Sequence, residues 1–187
     1  MSSNQHFPQD TAPTGTIELR VEHLSQLFDT LDPFPFPERD LDADADEYIV
    51  GWARELPRGV PIRIVVHLPE PELATSDTKT LPDALRRFYS YRTELKAREL
   101  RDLFRVGRVF LLIGLAALAI CFGASQIAAA QLGNTPLSGF VEESLIIVGW
   151  VANWKPLEIF LYDWWPLVRA RRFFLRLAAA NVSCRAY

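Results

Sequence analysis

The stretch WKPLEIFLYDWWP, residues 154–166, sets a lysine, a glutamate and an aspartate among apolar and aromatic side chains. Lys155 and Glu158 are three residues apart, so on a helix they share a face and can form an ion pair. Inside a bilayer such a pair is a functional candidate, because a charge at the centre of a span costs about 2.5–3.5 kcal/mol on insertion scales. A channel or transporter would use Lys155, Glu158 and Asp163 to line a polar path. A structural pair would instead lock two helices together. Tyr162, Trp164 and Trp165, with Asp163 between them, suit the aromatic belt at a membrane interface. Pro156 has no N–H for the carbonyl of Ala152, which predicts a kink.

Two other clusters invite chemistry. The run from Asp40 to Glu47 resembles a calcium loop. Counting from Asp40, however, the sixth position is Ala45 rather than glycine and the twelfth is Gly51 rather than glutamate. Carboxylates there are expected to serve a helix N-terminus. His23 and His67 each sit near the end of an expected strand, with Asp29 or Asp32 near His23 in sequence, but no zinc-ligand spacing accompanies them. No nucleophile elbow, phosphate loop or dinucleotide fingerprint appears. The sequence therefore implies no cofactor and no metal, and an enzyme using the acidic head is the least favoured reading. Cys121 and Cys184 have no framework spacing, which points to free thiols in a reducing compartment.

The elements that position residues 154–166 are read from hydropathy. Residues 109–141 hold no charge, and residues 109–130 predict a first transmembrane helix of about 33 Å. Gly114, Ala117, Gly123, Ala124 and Ser125 give it a small-residue side. Residues 131–142 predict an external loop, with Gly133, Asn134, Pro136 and Gly139 as turn formers. Residues 143–165 predict a second transmembrane helix kinked at Pro156. An alternative ends the crossing at Trp154 and lays residues 157–176 on the surface. The length of a bilayer crossing favours the kinked span.

Arginines and lysines flank the hairpin and are absent from its loop. Arg105, Arg108, Arg169, Arg171 and Arg172 are the candidate headgroup-binding residues, and the positive-inside rule puts both termini in the cytoplasm. Residues 1–80 carry 15 acidic and 6 basic side chains, whereas residues 81–187 carry 8 and 14. The halves thus face different surroundings, and neither has the basic, aromatic-studded patch of a nucleic-acid binder.

Residues 1–15 read as a disordered leader. In residues 16–80, Ile17, Leu19 and Val21 predict one strand and Ile62, Ile64, Val66 and Leu68 another. Leu24, Leu27, Phe28 and Leu31 predict one short helix, and Ala45, Tyr48, Ile49, Trp52 and Leu56 a second, with Pro33, Pro35 and Pro37 between them. Residues 81–108 predict an amphipathic stalk helix and residues 166–187 a cytoplasmic basic tail. The expected fold is an α+β cytoplasmic head (β-α-α-β), a two-helix transmembrane hairpin and a basic C-terminal helix. A two-stranded sheet is marginal alone, so helices, a further segment or a second copy must cover it.

By DPFPFPERDLDADADEYIVGWARELP (residues 32–57) and ESLIIVGWVANWKPLEIFLYDWWP (residues 143–166), the chain resembles a group of small uncharacterised bacterial two-span membrane proteins. The resemblance implies a bacterial inner membrane and carries no activity or site. The expected function is an interaction, assembly or accessory component that meets the lipid bilayer and either a second copy or another membrane protein. A small oligomeric channel is the alternative.

Overall fold

The computed structural model describes residues 15–29, 39–57, 59–133 and 135–187. Most of the expected leader, the spacer prolines Pro33, Pro35 and Pro37, and Leu31, Asp32 and Asn134 lie outside the described residues. The chain is mostly helical with one small sheet. It divides into two compact units, Met1–Thr93 with Arg172–Tyr187, and Glu94–Arg171. In chain order the elements are β1 (Thr16–Arg20), a single 3₁₀ turn (Leu24–Leu27), α1 (Ala43–Glu55), β2 (Arg63–Leu68), α2 (Glu70–Leu73), α3 (Ser76–Leu132), α4 (Pro136–Ala152), α5 (Trp154–Glu158), a π turn (Ile159–Asp163), α6 (Trp164–Ala178) and β3 (Asn181–Ala186).

The first unit is built on a parallel sheet in the order β1-β2-β3. Alternation along the strands buries Ile17 and Leu19 of β1 and Ile64, Val66 and Leu68 of β2 on one face, with Val182 and Cys184 of β3 partly buried beside them. Ile49, Val50 and Ala53 of α1, Leu81, Leu85 and Tyr89 of α3, and Phe174 and Leu177 of α6 complete that core. α1 begins where expected. The Asp42 Oδ1 accepts from the N–H groups of Asp44 (3.0 Å) and Ala45 (3.4 Å), and Asp44 and Asp46 occupy the first turn.

Three expectations are corrected here. Residues 166–187 do not form only a basic tail. Helix α6 enters the core, and β3 supplies the third strand. Two backbone bonds frame that strand, Asn181 N–H to the Ile62 carbonyl (3.0 Å) and Tyr187 N–H to the Leu68 carbonyl (3.3 Å). The first expected short helix is only a 3₁₀ turn, because Phe28 leaves it extended to bridge Leu41. The turn's backbone groups are then spent on that bridge: Asp42 donates to the Leu27 carbonyl (3.0 Å) and Asp29 to that of Asp40 (2.9 Å). Finally, Tyr48 and Trp52 share the helical period of α1 but lie on its outer face, 45% and 49% exposed.

The helical stretches Asp77–Gln131 and Gly139–Ala178, whose apolar parts make up the second unit, are long and apolar enough to cross a membrane, and only 11% and 22% of their most apolar windows are buried. A soluble protein hides such helices in its core. Here Phe110, Leu112, Ile120, Phe122, Ile147 and Trp150 point outward. The expected external loop at 131–142 is corrected to a connection at 133–135. Gly133 takes a left-handed φ of +60° past the end of α3, and Pro136 opens α4 with its fixed φ. Glu142 and Glu143 therefore lie in helix α4 rather than in a loop.

Among the described residues, three buried polar atoms of the first unit lack a hydrogen bond: Asp46 Oδ1, His67 Nε2 and the Tyr89 hydroxyl. Arg92 pairs with Asp46, and its guanidinium lies over the rings of Phe88 (5.4 Å) and Phe174 (5.1 Å). The Tyr89 hydroxyl beside them is buried without a well-formed hydrogen bond. Burial first, and the Asp46 carboxylate second, raise the Tyr89 phenol above the ordinary tyrosine value. The folded chain keeps that proton after the unfolded chain would release it. This contribution is present below about pH 10 and is lost as pH rises beyond it. Tyr89→Phe should be neutral or stabilising at pH 7, since it deletes an unpaired buried hydroxyl. Thermal unfolding followed by near-UV dichroism should show the variant's advantage over the parent widening above about pH 10.

Candidate functional site

The site lies where the second apolar arm stops being a regular helix. α4 ends at Ala152, whose carbonyl faces the missing N–H of Pro156. Asn153 takes φ −91° and ψ −1°, and its N–H closes a tight turn onto the Trp150 carbonyl (3.0 Å). The break therefore falls at Asn153, three residues before the proline that causes it. After α5, the π turn at residues 159–163 adds one residue to the helical count.

The Asn153 side chain is the buried polar centre of this unit. Its Nδ2 donates to the carbonyls of Gly114 on α3 and Gly149 on α4, both at 3.0 Å. Such close approach requires glycine. A Cβ at Gly114 would stand 2.6 Å from Asn153 Oδ1, one at Gly149 2.7 Å from Leu118 Cδ1, and one at Gly107 2.8 Å from Ile159 Cγ2. These contacts set the two arms antiparallel. The less exposed positions of α3 between 104 and 128 include Phe104, Gly107, Leu111, Gly114, Leu118, Cys121, Ser125 and Ala128, alternating three and four apart, with Ala117 and Ala124 beside them. That is a seven-residue repeat of the knobs-into-holes kind. Of the expected small-residue side, Gly114, Ala117, Ala124 and Ser125 all fall among the less exposed positions. Gly123 is excluded, because nothing lies within 4 Å of its Cβ position. Midway along, Leu115, Leu118, Ala119, Phe122, Ile146 and Trp150 line an apolar groove of about 460 Å³.

Lys155 and Glu158 form the expected pair, Nζ to Oε2 at 3.0 Å. Asp163 joins them, with Oδ2 3.7 Å from the lysine. On a regular helix residues eight apart diverge by about 80°, and the extra residue of the π turn brings Asp163 back toward the lysine's face. The lysine is 54% exposed, so the cluster sits on the outer surface of this unit and not in an enclosed path. Its height follows from the register. Ile159 lies at Gly107, and Phe160 stacks on Phe104 with centroids 6.0 Å apart. Glu158 is thus level with Arg108, and Lys155 is less than two turns inside the charge-free run.

The remaining expected interfacial residues are mostly at the surface. Tyr162 and Trp165 are exposed, while Trp164 is half-buried and donates its Nε1 to the Phe160 carbonyl (3.0 Å), a group the π turn displaces. Arg169 lies 6.0 Å from the Trp165 ring, Arg105 bridges to Asp102 at 3.4 Å, and Arg108, Arg171 and Arg172 are exposed.

The histidines are drawn to separate glutamates. His23 Nδ1 meets Glu72 Oε1 at 2.8 Å, and His67 Nε2 stands 3.5 Å from Glu18 Oε2. Among the described residues no group of three or more His, Cys, Asp or Glu side chains could hold a metal ion. Both cysteines are free, and burial raises the Cys184 thiol, making it a poor nucleophile. Asn153, Gly107 and Gly149 were not legible as site residues beforehand. Their signal was a lone amide four residues from a glycine in an apolar run, a pattern that lets two helix backbones meet.

Comparison of the chain with protein-family models, with curated proteins and with solved structures finds no match.

Replacing Asn153 by leucine removes the bridge between the arms. Inter-helix hydrogen bonds of this kind contribute about 0.6 kcal/mol and up to about 1.7. Gly114→Leu forces the arms apart and should cost more, about 1–3 kcal/mol for overpacking. Thermal unfolding in detergent should rank the parent above Asn153→Leu, and Asn153→Leu above Gly114→Leu.

Proposed function

We propose that this chain is an integral protein of a bacterial inner membrane, crossing it twice with both termini in the cytoplasm, and that it acts as an interaction, assembly or accessory component. The observation that carries this reading is the pairing of β2 with β3. These strands are neighbours in one small sheet, yet the whole apolar unit lies between them in sequence. A sheet cannot straddle a bilayer, so an even number of crossings is required of the residues between. The two apolar helices, with their outward-facing side chains, supply two. Arginines at the open end of the hairpin, and none at residues 133–135, favour the cytoplasm for the sheet. The bacterial inner membrane is the setting that the sequence resemblance implies.

The accessory role is favoured over a channel by the same geometry. The Lys155 cluster is satisfied by its own carboxylates, lies outward at the height of the arginines, and sits beside arms packed through glycines and leucines. Such a cluster fits an interfacial contact with headgroups or a partner helix better than a conduction path.

Two measurements test this. In a variant with Cys121 and Cys184 replaced by alanine, a cysteine at Leu137 should react with a membrane-impermeant maleimide in intact spheroplasts. One at Glu70 should react only after lysis. The reverse pattern overturns the orientation. Next, Lys155→Glu and Glu158→Lys alone should weaken assembly measured by crosslinking in native membranes, and the double swap should restore it. Ion flux in liposomes that vanishes while assembly survives would replace this reading with the channel.

A further inference from the structure

We propose that the outer face of α1 is a docking surface for a basic, arginine-bearing segment of a partner polypeptide. The proposal takes the accessory reading as its setting and gives it a partner chemistry. Among the exposed positions of α1, Asp44, Glu47, Tyr48, Gly51, Trp52 and Glu55 recur three and four apart and form one continuous stripe, with Arg54 at its edge lying 6.0 Å from the Phe173 ring.

Three features of this stripe have no explanation among the described residues. Tyr48 and Trp52 are large aromatics left about half exposed on a helix whose opposite face fills the core, although the first unit has apolar partners for both. Their rings are tilted against each other at 6.1 Å, and the Tyr48 hydroxyl donates to the Glu18 carbonyl (3.3 Å), which fixes the ring in place. Gly51 lies between them in the helix interior, where glycine is unfavourable, and nothing approaches its Cβ position within 4 Å. Among the described residues no packing requires it, and its lack of a side chain leaves open space beside the two rings, a notch. Asp44, Glu47 and Glu55 flank the notch, and none of the three forms an ion pair among the described residues. Asp46, by contrast, is on the inner side and is already held by Arg92.

The chemistry selects the occupant. Exposed aromatics next to uncompensated carboxylates attract a guanidinium, which can stack on the ring and pair with the acid at once. The acidic excess of residues 1–80 adds long-range attraction for a cation. The same carboxylates argue against lipid, since anionic headgroups repel them. They argue equally against a second α1 stripe, which would bring like charges together.

The test uses the full chain in nanodiscs of zwitterionic lipid, with fluorescein-labelled ten-residue peptides of alternating arginine and glycine, glutamine and glycine, or glutamate and glycine. Anisotropy should show binding of the arginine peptide alone, weakening as salt rises. Trp52→Ala, and Glu47→Lys with Glu55→Lys, should each weaken it at least tenfold. Gly51→Leu fills the notch and should weaken binding similarly while raising the Tm, because it improves the helix. That variant separates loss of the surface from loss of the fold. Equal binding of the glutamine peptide, or arginine-peptide affinity unchanged in Trp52→Ala and Gly51→Leu, overturns the proposal and leaves the hairpin reading untouched. A dimer that Trp52→Ala converts to monomer would also overturn it, by assigning the face to a second copy.

Discussion

The hydrogen-bonded pairing of β2 with β3 is the constraint on which the rest of the molecule depends. A parallel pair needs a crossover, and here the crossover is the entire apolar unit. Because β2 is central, with β1 on one side and β3 on the other, the sheet is incomplete until the chain has gone out and returned. The same pairing brings Phe174 and Leu177 of α6 into the core beside Tyr89 of α3. The small sheet is thus stabilised by segments from both ends of the sequence, which is how it escapes the weakness of two strands alone.

Within the apolar unit the governing feature is backbone proximity. Glycines at 107, 114 and 149 let the arms meet without intervening side chains, and the Asn153 amide joins the two backbones at their closest point. Pro156 frees Asn153 from regular helix by denying Ala152 a donor. The π turn then adds a residue, reorienting Asp163 toward Lys155 and leaving the Phe160 carbonyl to the Trp164 indole. Each irregularity is compensated by a named side chain, as an apolar surrounding demands of exposed peptide groups.

The two units treat charge differently, and the difference bears on function. In the first, Arg92 and Asp46 are placed between aromatic rings, while the acidic stripe of α1 stays uncompensated at the surface. In the second, Lys155 is paired at the surface with Glu158 and Asp163, and the arginines remain exposed at one end. The exposed stripe of α1 is thus acidic and the exposed end of the second unit basic, so the two units carry surface charge of opposite sign.

Much of this was legible from residue patterns. Period-two alternation gave β1 and β2, the helical period gave α1 and the start of α3, and the charge-free run with its flanking arginines gave two apolar arms joined at residues near Gly133 and Pro136. The Lys155–Glu158 pair followed from three-residue spacing alone, because neighbours on one helix are set by local geometry. What local geometry cannot supply, the tertiary structure decided. β3 has only Val182 and Cys184 to mark an inner face, and it becomes a strand because β2 has an unpaired edge. Tyr48 and Trp52 share the helical period of the core face, so periodicity could not say which side of α1 would be buried. Asn153 looked like one polar residue in an apolar run until Gly114, far away in sequence, came within hydrogen-bonding distance. Asp163 came toward Lys155 through a π turn, which no spacing in the sequence announces. Sequence determined the elements and their charge; long-range packing determined which faces, edges and carbonyls those elements present to one another.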